Sequence, residues 1–177
     1  VCCEADTAGQ ALNLLTATQP EIVLVDISLP DRNGLELIKD IHVLAPEVQI
    51  LVVSMHDEAL YASRVLRAGA RGYIMKQEDA DKLLEAVRTV LDGEIYVSQK
   101  MAERMASEAA NPRGGDSLSP LDNLSDRELQ VFRLIGQGVA IRQIAHDLGL
   151  SPKTVEAHRE HIKRKLKLES SNDLVRY

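Results

Sequence analysis

The first hundred residues alternate short apolar segments with amphipathic segments, and this alternation restricts the fold more than any other feature of the sequence. The apolar segments predict strands at Val1–Cys3, Glu21–Asp26, Gln49–Ser54 and Gly72–Lys76. The segments between them predict helices at about residues 7–17, 34–45, 57–68 and 79–92. Strands that alternate with helices pair in parallel, so we expect an α/β domain whose sheet is covered by helices on both faces.

Capping residues support the boundaries of these helices. Thr7 lies three residues before Gln10, which is the spacing of a capping box and predicts a helix start. Asn33 has the same relation to Glu36. Gly69 lies where the third helix should end, because glycine readily adopts the left-handed conformation that terminates helices.

The character of the sequence changes after residue 100. Ser107–Leu121 contains Asn-Pro, Gly-Gly and Ser-Pro pairs and has no apolar period, which is typical of a flexible linker. We therefore divide the chain into a domain at residues 1–100, a linker at 101–120 and a second domain at 121–177.

The second domain has only helical signals. They predict four helices: one capped by Ser125, a short one at Ile141–Leu148, a long one capped by Ser151 and a last one from about Ser171. Gly149 predicts a tight turn between the short helix and the long one. A short helix, a glycine turn and a capped basic helix together indicate a helix-turn-helix that binds DNA.

Three predicted strands of the first domain end in residues that suit phosphoryl chemistry: Asp26, Ser54 and Lys76. Because the carboxyl ends of parallel strands meet at one edge of a sheet, these side chains should lie together. Asp26 would be the nucleophile, Ser54 would hydrogen-bond a phosphoryl oxygen and Lys76 would neutralise the developing charge. Polar residues are common at strand ends for structural reasons, so the prediction depends on the complete set and its spacing.

The spacing of Asp26, Pro30 and Gly34 gives the pattern D-x3-P-x3-G. Together with three further segments, this region resembles the receiver domain of NarL/FixJ-type response regulators. The matching segments are VLVDISLPDRNGLELI at 23–38, ILVVS at 50–54, GARGYIMK at 69–76 and GEIYVS at 93–98.

The resemblance implies a flavodoxin-like fold and a role for each candidate residue. It makes Asp26 the phosphoacceptor, Ser54 the switch hydroxyl and Lys76 the active-site lysine. Tyr73 falls at the position of the family's rotating aromatic residue. An alternative interpretation is that Tyr73 is simply a strand residue facing a helix.

The sequence departs from the family at its start. Such receivers open with a strand that ends in two acidic residues that bind Mg²⁺, whereas this chain starts at what resembles the second strand. We therefore expect a receiver that lacks its first strand and helix, with the missing strand lying between Val1–Cys3 and Glu21–Asp26. Its Mg²⁺ site would keep Asp26 without the acid pair. An incomplete sequence is the simpler explanation, and a natural phosphorylation-independent variant is the alternative.

Residues 144–166 contain the pattern IA-x2-L-x-L-S-x2-TV-x2-H-x3-I-x-RKL, within a block at 124–168 that resembles the LuxR-type helix-turn-helix. Val155, His158, Ile162 and Leu166 recur at helical spacing, so we expect them to face the core. The opposite face would enter the major groove. It provides the DNA-binding candidates Lys153, Thr154, Glu156, Ala157, Arg159, Glu160, Lys163 and Arg164.

The chemistry of these side chains suggests how DNA would be contacted. Ala157 can touch a thymine methyl group, and Glu156 can accept a hydrogen bond from cytosine N4. The basic residues, together with Thr154 and with Lys165, can reach phosphates. In the alternative interpretation Glu156 and Glu160 are solvated acids paired with neighbouring arginines.

Charge and cysteine content are consistent with a DNA-binding protein of the cytoplasm. The net charge of the 177 residues is −6, yet the stretch 151–167 carries six Lys and Arg against two Glu. A basic stretch on an acidic chain indicates a local phosphate-binding surface. The only cysteines, Cys2 and Cys3, lack a disulfide spacing, which favours a reducing compartment. The apolar runs are too short to span a membrane.

We therefore predict a transcription regulator of a two-component phosphorelay, controlled by phosphorylation of Asp26. Its expected partners are double-stranded DNA, a sensor histidine kinase and a second copy of itself on DNA. The alternative is a regulator that binds DNA independently of phosphorylation, either constitutively or under a protein partner. We expect no enzyme, because the sequence has no nucleophile elbow, glycine-rich phosphate loop or cofactor motif.

Overall fold

Three parallel strands form the sheet of the first half of the chain, in the spatial order β1 (Ile22–Val25), β2 (Gln49–Ser54) and β3 (Gly72–Met75). They belong to a computed structural model that describes residues 1–110, 120–168, 170, 173 and 174. Leu24 pairs with Leu51 and Val52 pairs with Tyr73, so the carboxyl ends of the strands share one edge. The predicted parallel sheet is thereby confirmed for these three strands.

Five helices accompany the sheet: α1 (Ala8–Thr18), α2 (Gly34–Leu44), α3 (Glu58–Ala68), α4 (Ala80–Leu91) and α5 (Gln99–Ala110). The first four begin within one residue of their predicted positions. Their capping side chains are Thr7, Asn33, Asp57 and Asp79, each of which accepts a hydrogen bond from a backbone N–H of the first turn. Gly69 ends α3 with a φ of 112°, where a side chain would be strained.

Both faces of β2 and β3 are largely buried, whereas Leu24 of β1 is 48% exposed. On one face Leu51 and Ile74 pack against Ala86 and Val90 of α4. The alternate strand positions, such as Val52, are fully buried as well. Strand residues that are apolar and buried on both faces are typical of a parallel sheet in an α/β domain.

The strand predicted at Val1–Cys3 is wrong. These residues have no regular secondary structure, and Val1 is fully exposed. A strand exists only where a neighbouring strand completes its hydrogen-bond ladder. In the described part of the chain, β1 pairs with β2 and no residue pairs along its other edge.

The linker expected at 101–120 is also wrong over its first ten residues, because α5 occupies them. The α5 sequence is rich in Ala, Glu, Met and Arg, which are strong helix formers. Ser98 supports the start of this helix, since its Oγ accepts a hydrogen bond from the N–H of Met101 at 3.2 Å. The remaining prediction, for residues 111–119, lies outside the described residues.

The second half of the chain is helical, with a 3₁₀ turn (Pro120–Asn123) followed by α6 (Asp126–Gly136), α7 (Ile141–Asp147) and α8 (Pro152–Leu166). The chain divides into two compact units, Val1–Pro112 and Arg113–Tyr177, and each is described here by itself. Most of the predicted fourth helix lies outside the described residues. Among those residues, every helix is too short or too polar to cross a membrane.

Candidate phosphorylation site and nucleic-acid interface

The candidate phosphorylation site lies at the carboxyl edge of the sheet. Asp26 directly follows β1, and Lys76 directly follows β3. The ammonium group of Lys76 donates to Asp26 Oδ2 at 2.8 Å, and the N–H of Ser28 donates to Asp26 Oδ1 at 3.0 Å. The Asp26 side chain remains 26% exposed, so the carboxylate is accessible from solvent while both of its oxygens contact donors.

Ser54 ends β2, the middle strand, and so lies between Asp26 and Lys76 in the strand order. Its side chain is fully buried, and its Oγ accepts a hydrogen bond from the N–H of His56 at 3.3 Å. Its carbonyl accepts one from the N–H of Lys76 at 2.9 Å. The structure therefore brings the three predicted residues to one edge of the sheet, and Ser54 fixes the backbone on which Lys76 is carried.

Tyr73 is fully buried in β3, and its phenol reaches the loop that follows Ser54. Its OH donates to the carbonyl of His56 at 2.7 Å. Burial raises the pKa of Tyr73 above its usual value, so the phenol is neutral and remains a donor. Tyr73 thus ties β3 to the β2–α3 loop, which the sequence alone did not predict.

His56 and Ser28 were not singled out in the sequence, although they connect the two loops beside Asp26. His56 Nε2 lies 3.1 Å from Ser28 Oγ, and its ring lies against Tyr61 with centroids 5.0 Å apart. The two residues are 28 positions apart, and no local pattern relates them. Only the parallel sheet brings their loops together.

The glycine of the D-x3-P-x3-G pattern, Gly34, has a steric explanation. A Cβ atom on Gly34 would lie 2.4 Å from the carbonyl oxygen of Asp26 and 2.7 Å from Cα of Ile27. Only glycine allows α2 to start this close to the loop that carries Asp26.

A second acid in that loop, Asp31, has a different partner. Its carboxylate accepts hydrogen bonds from the N–H groups of Ala8 and Gly9 at the start of α1, at 3.1 and 3.3 Å. The bond from Ala8 is the largest factor that lowers the pKa of Asp31. Asp31 therefore joins the loop to the start of α1, whereas Asp26 accepts the hydrogen bond from Lys76.

The residues at this edge do not match the multi-carboxylate Mg²⁺ site that the family resemblance implies. Within residues 1–110, 120–168, 170, 173 and 174, no three His, Cys, Asp or Glu side chains are grouped closely enough to hold a metal ion. Mg²⁺ prefers several oxygen ligands in near-octahedral geometry, and Asp26 supplies one carboxylate.

The candidate nucleic-acid interface lies in the second unit, where α7 and α8 meet at a tight turn. Gly149 has a φ of 62°, and the N–H of Leu150 donates to the carbonyl of Ala145 at 2.8 Å. The guanidinium of Arg127, from α6, donates to the carbonyl of Leu148. The glycine turn was predicted from the sequence, whereas the contribution of Arg127 was not, because Leu148 is 21 residues away.

The start of α8 is capped as predicted. Ser151 Oγ accepts a hydrogen bond from the N–H of Thr154 at 3.1 Å and lies 2.8 Å from the Thr154 hydroxyl. Pro152 occupies the first turn, where its missing N–H has no cost. Lys153 is exposed beside it and Thr154 is half-buried.

The two faces of α8 divide as the helical spacing predicted. Val155 and Ile162 are fully buried and Leu166 is nearly so. His158 is half-buried, and burial lowers its pKa. Of the DNA-binding candidates, Thr154, Arg159 and Lys163 are half-buried, and the exposed members are Lys153, Glu156, Ala157, Glu160 and Arg164.

Two of the basic candidates are paired with an acid on the same helix. Lys163 Nζ lies 3.1 Å from Glu160 Oε2, and Arg159 Nε lies 3.6 Å from Glu160 Oε1. The hydrogen bond from Lys163 is the largest factor that lowers the pKa of Glu160. Because Glu160 is exposed, these pairs are weak and phosphate oxygens could replace the carboxylate.

Lys165 is one of the residues predicted to reach phosphates, but its side chain contacts α6 instead. Its ammonium lies 2.7 Å from Oε2 of Glu128, a residue of α6. Glu128 also completes the predicted capping box, since its carboxylate accepts from the N–H of Ser125 at 2.7 Å.

Comparison with known proteins gives each unit a family. Residues 1–88 match the family described as response regulator receiver domain, and residues 122–177 match bacterial regulatory proteins of the luxR family. The oxygen regulatory protein NreC of Staphylococcus haemolyticus is 40% identical over 177 residues, covering 98% of this chain and 82% of that protein. The NreC protein of Staphylococcus carnosus is 39% identical, covering 97% and 82%.

The chain belongs to the LuxR-family response regulators. It is a DNA-binding transcription regulator of a two-component system, as both its domains and its relatives indicate. The receiver fold followed by a helix-turn-helix domain is thereby confirmed.

Solved structures agree with this assignment. A LuxR-family two-component response regulator from Aurantimonas sp. SI85-9A1 is 34% identical to this regulator, with a TM-score of 0.55 over 60% of this chain and 76% of that chain. RcsB of Salmonella enterica serovar Typhimurium, bound to promoter P1flhDC with phosphomimetic BeF₃⁻, is 26% identical, with a TM-score of 0.64 over 97% and 81%.

Proposed function

We propose that this regulator binds DNA through α8 and that phosphorylation of Asp26 controls the binding. The observation that carries the proposal is the placement of Asp26 between the Lys76 ammonium and the Ser28 N–H at the carboxyl edge of the sheet. A partly exposed carboxylate beside a fixed cation suits a group that accepts a phosphoryl and then holds its charge.

In the proposed reaction, an Asp26 carboxylate oxygen attacks the phosphorus of a phosphohistidine on the sensor kinase. The new O–P bond forms as the P–N bond breaks, and the electron pair leaves with the imidazole of the kinase. Lys76 moves from the carboxylate to the phosphoryl oxygens and balances their charge. Ser54, which ends the adjacent strand, would hydrogen-bond the phosphoryl group once its buried hydroxyl turns outward. Asp26 accepts one phosphoryl group per cycle, so the proposal does not require turnover of a substrate.

The residues proposed to contact DNA are exposed or half-buried residues of α8 outside its buried stripe. Lys153, Arg159, Lys163 and Arg164 would contact phosphates, with Thr154 at the helix start. Ala157 would contact base edges in the major groove. Glu156 would accept a hydrogen bond from cytosine N4, with simple solvation as the alternative. The pairing of Glu160 with Lys163 favours solvation for Glu160.

The proposals for partners, metal and location are supported by the family. The RcsB structures include dimers bound to DNA, which supports a homodimer on DNA for this regulator. A sensor histidine kinase is the proposed phosphoryl donor, and DNA binding makes the cytoplasm the proposed location. Receivers usually bind Mg²⁺ at the phosphorylation site, and in a complete receiver Asp26 would be a ligand together with the acid pair.

A second candidate is a regulator that binds DNA without phosphorylation, constitutively or under a protein partner. It is compatible with the described residues, among which Asp26 belongs to no group of three or more His, Cys, Asp or Glu side chains that could hold a metal ion.

Phosphoryl mapping separates the two candidates. After incubation with acetyl phosphate and Mg²⁺, borohydride trapping and tandem mass spectrometry should locate the acyl phosphate at Asp26. Asp31→Asn is the matched control and should keep the label, because Asp31 binds the start of α1. Label at another residue, or none, would contradict phosphorylation control and favour the second candidate.

A further inference from the structure

One carboxylate of α6, that of Glu128, is buried. Of the acidic side chains in the described ranges, Glu128 alone is buried, with 4% of its surface exposed. Burying an unpaired charge is costly, so such a group must be compensated by donors or by an opposite charge.

Glu128 obtains this compensation from two elements. The N–H of Ser125 donates at 2.7 Å, and the Lys165 ammonium donates to the same carboxylate at 2.7 Å from the last turn of α8. His161 Nδ1 lies at 3.9 Å. Burial alone would raise the pKa of Glu128, but the bonds from Lys165 and Ser125 outweigh burial and lower it, so the carboxylate is ionised at neutral pH.

The basic residues near the end of α8 therefore differ in what they can do on DNA. Lys163, whose side chain is 19% exposed, is paired with Glu160, whose side chain is 56% exposed, and a pair with such an exposed acid contributes little. Arg164 is exposed. If Lys165 left Glu128, a buried negative charge would lose its partner, which is far more costly than breaking a surface pair.

We propose that Lys165 is a positioning residue that stays bound to Glu128 when DNA binds and holds the recognition helix α8 at a fixed orientation against α6. The contact joins the last turn of α8 to the first turn of α6. Because α8 is a continuous helix, its orientation also fixes Glu156 and Ala157 near its other end. This inference depends on the proposed DNA-binding role of α8.

The test uses a double variant that removes both charges of the pair. Glu128→Gln keeps an acceptor for the Ser125 N–H, as glutamine also completes a capping box, and Lys165→Met keeps the apolar stem. We would titrate the full chain with a mixed-sequence DNA duplex between about 50 and 200 mM salt and follow fluorescence anisotropy. Circular dichroism would verify that the helices persist.

For the double variant, affinity should fall on the order of three- to tenfold. It should fall by the same factor at every salt concentration. The salt slope, which is the slope of log affinity against log salt concentration, should therefore be unchanged. Lys163→Met is the matched control, and the loss of one phosphate contact there should reduce the slope by about 0.9. The positioning role would be overturned if the salt slope of the double variant also fell by about 0.9, or if the double variant bound DNA as the unaltered chain does.

The single variant Glu128→Gln should change DNA affinity in opposite directions for the two possible roles of Lys165, positioning α8 or contacting phosphate. If Lys165 positions α8, binding weakens at every salt concentration. If Lys165 contacts phosphate, removing a nearby negative charge strengthens binding, which would overturn the proposal, as would no change. Should Lys163→Met leave the salt slope unchanged, the DNA-facing assignment of α8 fails instead, so the two failures are distinguishable.

Discussion

Ala157→Asp should weaken binding to a specific DNA site by roughly 10- to 100-fold, because it places a carboxylate on the face of α8 that we propose to enter the major groove. Ala157 is exposed, so the substitution creates no cavity and no overpacking. Its cost to helix stability is limited to the lower helix propensity of aspartate, at most about 0.7 kcal/mol. The measurement is a binding titration by fluorescence anisotropy at fixed salt.

Ala102→Asp provides the matched control. Ala102 is an exposed alanine of α5, outside the helix-turn-helix unit, and the substitution changes the net charge by the same amount. Affinity should stay within about twofold of the unaltered chain if charge acts locally. An equal loss of DNA affinity in both variants would contradict a direct contact between α8 and DNA.

Lys76→Met should slow phosphoryl transfer to Asp26 on the order of 10²-fold, the usual cost of removing one charged group that stabilises a developing negative charge. Lys76 lies 2.8 Å from Asp26, and methionine retains most of its stem without the ammonium. The measurement is the initial rate of labelling with acetyl phosphate.

Lys82→Met serves as the control for this effect. Lys82 pairs with Glu78 at 2.6 Å on the surface of α4, and its loss alters the net charge in the same way. Its labelling rate should stay within about twofold of normal, because Lys82 is exposed and already paired with Glu78, and such surface pairs contribute little. A Lys76→Met rate equal to the Lys82→Met rate would contradict the assigned role of Lys76.

Local patterns were sufficient to predict most of the architecture. The apolar segments predicted β1, β2 and β3, and the caps at Thr7, Asn33 and Ser125 marked helix starts correctly. The candidate site could also be predicted, because the carboxyl ends of parallel strands always meet at one edge. These features depend on residues that are close in sequence or on the topology of the sheet.

The errors have the opposite origin. Val1–Cys3 has the composition of a strand, but a strand also needs a neighbour, which composition does not reveal. The helix α5 is not apparent from the sequence because turn-forming pairs after residue 110 obscure the helix-forming residues before them.

Contacts between distant residues were likewise beyond the sequence. Lys165 was grouped with its basic neighbours because nothing in the chain near it indicates Glu128, which lies 37 residues earlier. His56 and Ser28 meet only because their strands are adjacent in the sheet.

The most direct test of phosphorylation control is the DNA affinity of the full chain with and without acetyl phosphate and Mg²⁺. The probe is a duplex that the chain itself selects from a random-sequence pool. Phosphorylation should raise affinity by about 5- to 150-fold, the usual range of coupling between two sites, and Asp26→Asn should abolish the response. An equal response in Asp26→Asn, or none in the unaltered chain once its phosphorylation is verified, would contradict control through Asp26.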